Sequence, residues 1–325
     1  MSKLGYRVKV FNDCPNKSYW FGDIEYIHWK YFGEWNDMNY ADYFISSRSL
    51  EPFKLPFLRA GKKFVMIHDI WIMLNNPEDI RFHEKVDKFF CLSTEHKKFV
   101  SEHHKIDLER ILITSNGIDL NRFIKRDERR RKPFKAIYAS SPDRGLENLL
   151  DMLPSLREKI PKLELHVYYG FDFVKGHDEW VQSMLQRMTD LGVVYHGKVN
   201  QEELAKAYMT SRVVLAPNWF EETFKISAIE AMASGCVYLG SEWWGIKDTV
   251  GGANPLIPMA DRFDCTREPY QQQFIDEAEK LFNDRAYFKK WQKSGFERVK
   301  RFSWSTVANQ FDEYFKNTKW TEIQF

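Results

Sequence analysis

The sequence predicts an α/β protein with two domains, on three observations. Strand-like apolar runs alternate with amphipathic helical segments through both halves of the chain, which is typical of parallel sheets covered by helices. A charged run without apolar residues, at positions 125–132, separates the halves. The length of 325 residues is enough for two α/β domains of ordinary size. We therefore expect two Rossmann-like domains facing a cleft, at 1–126 and 134–301, with a linker at 127–133 and a C-terminal helix at 302–325.

The composition favours a soluble globular protein and argues against some functions. Hydrophobic residues make up 43% of the chain and charged residues 29%, which is ordinary for a globular protein. The net charge is only +2, so no nucleic-acid partner is expected. Apolar runs stay shorter than the ~18 residues that span a bilayer, and positions 1–6 lack the apolar core of a signal peptide. We therefore expect a cytoplasmic protein.

The cysteines support the same compartment. They are widely spaced, form no CxxC pair and lie mostly in apolar or strand-like runs, where buried free thiols are the ordinary outcome. They are Cys14, Cys91, Cys236 and Cys265. This pattern favours a reducing environment.

The first half contains a candidate ligand residue at the end of a strand. Ala41–Ser47 and Lys63–Asp69 are predicted strands, and the second is apolar enough to be central in a sheet. His68 and Asp69 stand at its carboxyl end, where open parallel sheets bind ligands. His68 either contacts a ligand or caps its own strand. Five further histidines show no metal-ligand spacing and are expected at surface or helix positions: His28, His83, His96, His103 and His104.

An aromatic stretch, Tyr19–Trp35, is dense in large rings in a chain that is 16% aromatic. Because large aromatic side chains are usually buried, we expect core packing or a lid. Rings that stack on a sugar are the alternative.

The most informative stretch is Asn218–Val237, in which the carboxylates of Glu222 and Glu230 stand eight positions apart. It lies between two strand-like runs, and its apolar periodicity predicts a helix over 224–234 with Thr223 as N-cap and Gly235 as its end. Helical spacing places Glu230 at the edge of the apolar stripe, where an unpaired carboxylate is costly. The free N–H groups of the first turn would point at an anion. The alternative is an ordinary helix with a dipole-favoured acid and a surface glutamate.

This stretch resembles the signature of retaining GT-B glycosyltransferases of the family 4 type, the glycosyl transferases group 1. The family pattern is an E-x7-E followed by A-M-A-x-G, and the matching positions are Glu222, Phe224, Ile226, Glu230, Ala231, Met232, Ala233, Gly235 and Val237. Thr223 and Lys225 replace two family glycines. The resemblance implies that Glu222 contacts the donor sugar, that Thr223, Phe224, Lys225 and Ile226 meet the sugar and diphosphate through their N–H groups, and that Glu230 binds the ribose hydroxyls.

The resemblance extends over most of the chain from about Ala41, and the Phe302-Ser-Trp304 sequence that it includes implies that the C-terminal helix at 302–325 returns to the first domain. A strand at 134–139 feeds a polar loop and a helix start, which places Arg144 within reach of a phosphate. The family has two cations here, but only Arg144 has a counterpart. Ser140 and Ser141 are expected to bind phosphate through hydroxyl and N–H groups, and Lys225 to supply the missing charge. The resemblance also implies that Gly197, Lys198 and Val199 line the pocket of the donor base, and that His68 contacts the donor sugar.

These observations predict a retaining glycosyltransferase that moves a sugar from a nucleotide-sugar donor to a hydroxyl acceptor, which is a glycan, a lipid-linked or a protein-linked group. The resemblance implies no metal and no cofactor beyond the nucleotide-sugar co-substrate. The catalytic candidates are His68, Glu222, Arg144 and Lys225. The alternatives are a non-catalytic module that binds a nucleotide sugar or glycan within a larger assembly and, more weakly, an epimerase of the same fold.

Two features of the chain affect this prediction. The family's first strand and glycine-rich loop have no counterpart before Tyr6, so we expect a shortened first domain. The basic run at 125–132 is typical of a solvated segment and also suits a peripheral contact with anionic lipid. The oligomeric state stays open.

Overall fold

The computed structural model describes residues 1–70, 77–124, 126–171, 176 and 178–316. It divides into two compact units. The first unit contains Met1–Ser115 and Trp304–Phe325, and the second contains Asn116–Ser303. Lys125, at the start of the basic run, and positions 317–325 of the predicted C-terminal segment lie outside the described residues.

The strands of the described residues are short, as parallel strands in α/β proteins usually are. They are β1 (Lys9–Asn12), β2 (Ser18–Phe21), β3 (Ile24–His28), β4 (Ala41–Ser47), β5 (Ala60–Met66), β6 (Lys88–Cys91), β7 (Ile111–Ile113), β8 (Lys135–Tyr138), β9 (Glu164–Tyr168), β10 (Val194–Gly197), β11 (Val213–Ala216), β12 (Val237–Glu242) and β13 (Leu256–Pro258).

The helices alternate with these strands through most of the chain. They are α1 (Phe32–Met38), α2 (Thr94–His104), α3 (Leu146–Lys159), α4 (Asp178–Asp190), α5 (Gln201–Thr210), α6 (Ile226–Ser234), α7 (Gly245–Val250), α8 (Tyr270–Asn283), α9 (Arg285–Val299) and α10 (Trp304–Lys316). In the part of the chain that the structure describes, no helix has both the length and the apolar character needed to cross a bilayer.

The first unit is built on a parallel sheet with the order β4-β5-β6-β7. The predicted strand over Ala41–Ser47 and the central position of β5 are confirmed. One face of the sheet is covered by α10, because Phe64 and Phe90 pack against Tyr314 and Phe315. The hydroxyl of Tyr314 also donates to the carbonyl of Ile113 at 2.7 Å.

A smaller sheet with the order β1-β3-β2 precedes this one. The prediction of core packing for the aromatic stretch is wrong in its β2 part and at Trp29. Trp20 is 65% exposed, Phe21 72% and Trp29 61%. β2 is an edge strand that pairs with β3, and all four of its residues are exposed, so the described part of the chain covers neither of its faces.

The second unit contains a six-stranded parallel sheet with the order β10-β9-β8-β11-β12-β13. The chain runs outward from β8 to β10 on one side, then returns to β11 and continues outward on the other. The strand order therefore reverses between β8 and β11, and in such sheets the ligand crevice lies outside the carboxyl ends of the strands at this reversal. The buried apolar faces of α3 and α8 cover the sheet.

The residues predicted as a linker belong to the second unit, where hydrogen bonds connect them to the C-terminal end of α6. The buried guanidinium of Arg131 donates to the carbonyls of Ser211 and Ser234, the latter at 2.9 Å. Glu128 accepts from Lys289 at 2.9 Å. The amide of Gln292 also donates to Glu128, and it binds the carbonyl of Gly235 at 2.7 Å. These bonds hold the C-terminal end of α6 in place.

The four cysteines are buried and free, which confirms the prediction from their spacing.

Candidate functional site

Most of the predicted site residues gather where β8 and β11 end. The loop after β8 carries Ser140, Ser141 and Arg144, and the loop after β11 leads to Glu222. Gly145 allows the two loops to touch: its φ is 123°, and a Cβ placed on it would lie 2.2 Å from the carbonyl oxygen of Pro217. Only glycine fits a backbone approach this close.

The start of α6 differs from the prediction. The helix begins at Ile226 with Lys225 as N-cap, so a start at Phe224 with Thr223 as N-cap is wrong. The physical reason is that two hydrogen bonds join this segment to α7. The N–H of Lys225 donates to Thr249 Oγ1 at 3.1 Å, and the carbonyl of Glu222 accepts from the N–H of Gly245 at 2.8 Å. These partners take the place of a local cap. The end of α6 at Gly235, with φ 81°, is confirmed.

Glu222 is a buried carboxylate bound by two cations. Its Oε2 accepts from Arg144 Nη1 at 2.9 Å, and its Oε1 accepts from Lys225 Nζ at 2.7 Å. Burial acts to raise the pKa of Glu222, but the attraction and hydrogen bonds of Lys225 and Arg144 outweigh it and lower the pKa below its ordinary value. Glu222 is therefore ionised, with both oxygens engaged.

Arg144 and Lys225 differ in how accessible their charged groups are to a ligand. The side chain of Arg144 is 35% exposed, and its guanidinium lies 4.4 Å above the ring of Phe220. The side chain of Lys225 is only 3% exposed, and its Nζ also binds Asn218 Oδ1 at 3.4 Å. Arg144 thus keeps surface for an incoming phosphate, whereas Lys225 acts on Glu222 from within the protein.

The two serines after β8 have different surroundings. The hydroxyl of Ser141 donates to Asp143, and its carbonyl accepts from the hydroxyl of Tyr138 at 2.8 Å. Tyr138 occupies the sequence position where the resembled family carries its first cation, and its side chain is fully buried. Ser140, next to Ser141, is half-buried at the carboxyl end of β8.

Glu230 lies on α6 one turn beyond the helix start and is only 8% exposed. Burial raises its pKa to about 7, and Arg122, whose Nη1 lies 3.7 Å from Oε1, only partly offsets this effect. At neutral pH this carboxyl group is therefore protonated to a far greater extent than an ordinary glutamate. Arg122 was not among the predicted site residues. It follows residues Asn116–Asp119, whose Asn-Gly pair is typical of a turn. That pattern does not indicate that the next residues along the chain contact α6.

The predicted base pocket lies at the end of β10 beside a stack of rings. Gly197 has φ 66°, Lys198 is exposed and Val199 is half-buried. The imidazole of His196 stacks on Tyr168 with ring centroids 4.1 Å apart, and its Nε2 lies 3.0 Å from His166 Nδ1.

The imidazoles of His166 and His196 are neutral. Burial, with a smaller effect from Lys135, lowers the pKa of His166 to about 4 and also lowers that of His196. Period-2 patterning shows only that the two histidines lie on strands. It does not show that β9 and β10 bring the rings together.

His68 belongs to the first unit and follows β5 by two residues. Burial lowers its pKa, and Arg48 lowers it further. Asp69 beside it lies 3.3 Å from Arg48 Nη1. Arg48 follows β4, so two neighbouring strand ends meet here, as expected for the ligand-binding edge of a parallel sheet.

His96, at the start of α2, belongs to the same edge and was not predicted there. It is fully buried, its Nδ1 accepts from the N–H of Leu92 at 3.2 Å, and its pKa is lowered to about 4, chiefly by burial. A neutral imidazole with Nδ1 as acceptor carries its proton on Nε2. The prediction of surface or helix positions holds for His96 and His104, which lie on α2, and for His83, which lies in the 3-10 helix Pro77–Lys85, although all three are buried.

Among the described residues, no group of three or more histidine, cysteine or acidic side chains is arranged to hold a metal ion.

Comparison with known proteins finds a family that resembles part of the chain. A family model described as "Glycosyl transferases group 1" matches residues 135–282, which is less than half of the chain. Lipopolysaccharide 1,2-N-acetylglucosaminetransferase of Salmonella typhimurium is 26% identical over 192 residues, 56% of this chain and 48% of its own. Phosphatidyl-myo-inositol mannosyltransferase of Mycobacterium leprae is 26% identical over 171 residues, 52% of this chain and 42% of its own. The chain therefore spans about half the length of these curated relatives.

Solved structures agree on the fold. Sucrose-phosphate synthase from Thermosynechococcus elongatus superposes with a TM-score of 0.75 at 15% identity, covering 97% of this chain and 90% of its own. Anabaena HepE in complex with UDP and glucose superposes with a TM-score of 0.62 at 18% identity, covering 78% and 71%. The fold is GT-B, as predicted, and the resemblance to glycosyl transferases group 1 is confirmed over residues 135–282.

Proposed function

We propose that this protein is a glycosyltransferase that moves a sugar from a nucleotide-sugar donor to a hydroxyl acceptor, with retention at the anomeric carbon and without a bound metal. The observation that carries the proposal is the pair of buried carboxylates on either side of the α6 N-terminus, within the matched segment. Glu222 is ionised and bound to Arg144, and the pKa of Glu230 is raised to about 7. An ordinary surface helix has no reason to bury two carboxylates, because each burial is costly.

The arrangement suits a diphosphate held between two hydroxylated groups. The N–H groups of Ile226 and Ser227, in the first turn of α6, and the exposed part of Arg144 stabilise negative charge on the diphosphate, whereas the predicted contact through the N–H of Lys225 is taken by Thr249 Oγ1. Glu230 accepts hydrogen bonds from the ribose hydroxyls, and Glu222 from the donor sugar. Ser140, Ser141 and the backbone at 197–199 complete the nucleotide-sugar site.

The reaction then relies on positioning and electrostatics. The acceptor hydroxyl oxygen bonds to the anomeric carbon as the sugar–phosphate bond breaks, and the departing diphosphate takes up the hydroxyl proton. Arg144 and the α6 N–H groups stabilise the charge that develops on the leaving group. Lys225 keeps Glu222 ionised as an acceptor for sugar hydroxyls. His68 is assigned to the donor sugar as a hydrogen-bonding residue.

The donor and acceptor classes follow from the relatives. HepE was solved with UDP and glucose, so a UDP-sugar is the first donor to test. The curated relatives are named for transfer in lipopolysaccharide and phosphatidyl-myo-inositol, and a glycan or lipid-linked hydroxyl is accordingly the first acceptor class. We place the reaction in the cytoplasm, with any membrane contact peripheral.

Product analysis tests the finer parts of this proposal. The full chain is incubated with nucleotide sugars and a glycan acceptor, with and without a strong chelator, and the anomeric configuration of the product is determined by NMR. We expect the donor configuration in the product and equal rates with the chelator. An inverted product or a rate that the chelator abolishes would refute retention or metal independence.

A binding module without turnover is the second candidate, and one observation favours it. Both carboxylate oxygens of Glu222 are already engaged by cations, which leaves only their remaining lone pairs for a sugar. Calorimetry with UDP separates the candidates: binding that Glu230→Ala removes, together with no transfer of any sugar, would establish the module.

A further inference from the structure

A pocket of about 210 Å³ lies beside the nucleotide-sugar site without sharing its predicted residues. Its walls are formed by Pro142, Asp143, Gly145, Glu147, Asn148, Trp180 and Trp219. Arg144, between two of these positions, turns away to bind Glu222. The pocket is therefore a separate feature at the N-terminal end of α3.

The floor of the pocket is built from buried, ordered groups. Asn148 is only 6% exposed, and its Nδ2 is close to Cys265 Sγ at 3.0 Å and to the carbonyl of Pro217 at 3.4 Å. Its Oδ1 accepts no hydrogen bond from the residues that the structure describes, so its lone pairs remain for a ligand. The close approach of Gly145 to Pro217 fixes the same floor.

Two indole rings form the walls. Trp180 and Trp219 are half-buried and pack against the core of the second unit. Trp180 makes an edge contact with Phe171, with centroids 5.8 Å apart, and the guanidinium of Arg262 lies 4.5 Å from the ring of Trp219. These contacts hold both rings in position. Within the described ranges, neither indole N–H donates a hydrogen bond, so both are available to a ligand.

The polar groups of the pocket are mainly acceptors. Asp143 accepts from the hydroxyl of Ser141, and Glu147 lies 3.8 Å from Arg187 through one oxygen only. Each carboxylate therefore keeps lone pairs for a ligand that donates hydrogen bonds. The two negative charges disfavour an anionic ligand.

We propose that this pocket binds one pyranose ring of a neutral or amino-sugar glycan, as a site additional to the nucleotide-sugar site. A pyranose has an apolar C–H face that packs on indole rings and equatorial hydroxyls that donate to carboxylate and amide oxygens. An ammonium group on the sugar gains further from the carboxylates and rings. The volume fits a single ring. The inference does not depend on sugar transfer.

Saturation-transfer NMR on the full chain provides the test. The probes are the methyl glycosides of glucose, N-acetylglucosamine, glucosamine and glucuronic acid. We expect transfer to the first three, strongest for glucosamine, and none to the glucuronide. Trp180→Ala and Trp219→Ala each weaken binding by about tenfold, the size of one lost stacking contact. Asp143→Asn reduces the preference for glucosamine, because Glu147 still carries its charge.

Matched variants separate site loss from misfolding. Trp304→Ala removes an exposed tryptophan of the first unit and leaves sugar binding unchanged. Trp180→Phe keeps an aromatic wall and retains most of the binding. Absence of transfer to every probe, equal binding of the glucuronide, or equal loss in Trp304→Ala and Trp180→Ala would overturn the proposal.

Discussion

Lys225 holds Glu222 from inside the protein, with its Nζ 2.7 Å from the carboxylate Oε1. This lysine stands where the resembled family has a glycine, and it sits almost entirely away from solvent. Its buried charge is compensated by the glutamate, and the charge of the glutamate is shared with Arg144. The three side chains therefore behave as one electrostatic unit.

The first prediction concerns this unit. Lys225→Met removes one partner and leaves Glu222 buried with Arg144 alone, so the free energy of unfolding should fall by about 3 kcal/mol. Urea unfolding measures the change. The double variant Lys225→Met with Glu222→Gln should recover part of the loss, because no uncompensated carboxylate remains. Equal stability of the single variant and the wild type would contradict the pairing.

The raised pKa of Glu230 predicts that the stability of the fold depends on pH. Its pKa in the folded state, about 7, is above the ordinary value of 4.5. A raised carboxyl pKa stabilises the fold fully below the unfolded pKa, and that contribution is lost as the pH rises through the folded pKa. Between these two values the wild type should lose on the order of 3 kcal/mol relative to Glu230→Gln. Thermal unfolding of both proteins across this range checks the difference; parallel curves would contradict it.

The same carboxyl group predicts a pH-dependent affinity. Ribose hydroxyls donate hydrogen bonds best to the ionised form, so UDP binding should tighten as the pH rises through about 7. Calorimetry in buffers of different ionisation enthalpy should also show proton release on binding. Glu230→Gln should bind weakly and without proton release. Proton uptake by the wild type would refute Glu230 as the ribose ligand.

Gly145 should tolerate no side chain. In Gly145→Ala the new Cβ would meet the carbonyl of Pro217 at 2.2 Å, in addition to the strain of a positive φ. We expect a stability loss well above the ~1–2 kcal/mol of left-handed strain alone, together with weaker UDP binding. Gly252→Ala is the control, because its φ is 73° and no atom lies within 4 Å of the added Cβ. Equal losses in the two variants would show that the loops do not need this contact.

Arg144 should not be replaceable by lysine. Its guanidinium binds Glu222 through one nitrogen, stacks on Phe220 and still keeps exposed N–H groups. Arg144→Lys preserves the charge but loses the planar fork, and kcat/KM should fall about a hundredfold. Steady-state kinetics with a UDP-sugar measures this. Arg157→Lys, at a site that binds only backbone carbonyls at 191 and 192, serves as the control.

Much of the second unit was predictable from the sequence, because its strands are apolar runs and its helices carry clear periodicity. The start of α6 was not, because Thr249 and Gly245 replace the local cap from a distance of about twenty residues in sequence. The pairing of Glu222 with Lys225 was likewise hidden: the pattern suggested a phosphate contact for the lysine, and only the folded loop shows its Nζ on the carboxylate.

The burial of individual side chains could not be predicted from the sequence patterns either. Trp20 is exposed although core packing or a lid was predicted, and the full burial of His96 was not predicted, since exposure depends on which strand lies at a sheet edge and which helix packs over it. Arg122 was missed for the same reason, because its contact with Glu230 joins residues more than a hundred positions apart.

The most direct test of the account is sugar transfer by the full chain from a panel of nucleotide sugars to glycan acceptors, measured as release of nucleoside diphosphate. We predict turnover with at least one UDP-sugar, and a loss of about a hundredfold or more in Glu222→Gln at unchanged folding. No turnover with any donor by the folded protein, or equal turnover by Glu222→Gln, would contradict the central claim.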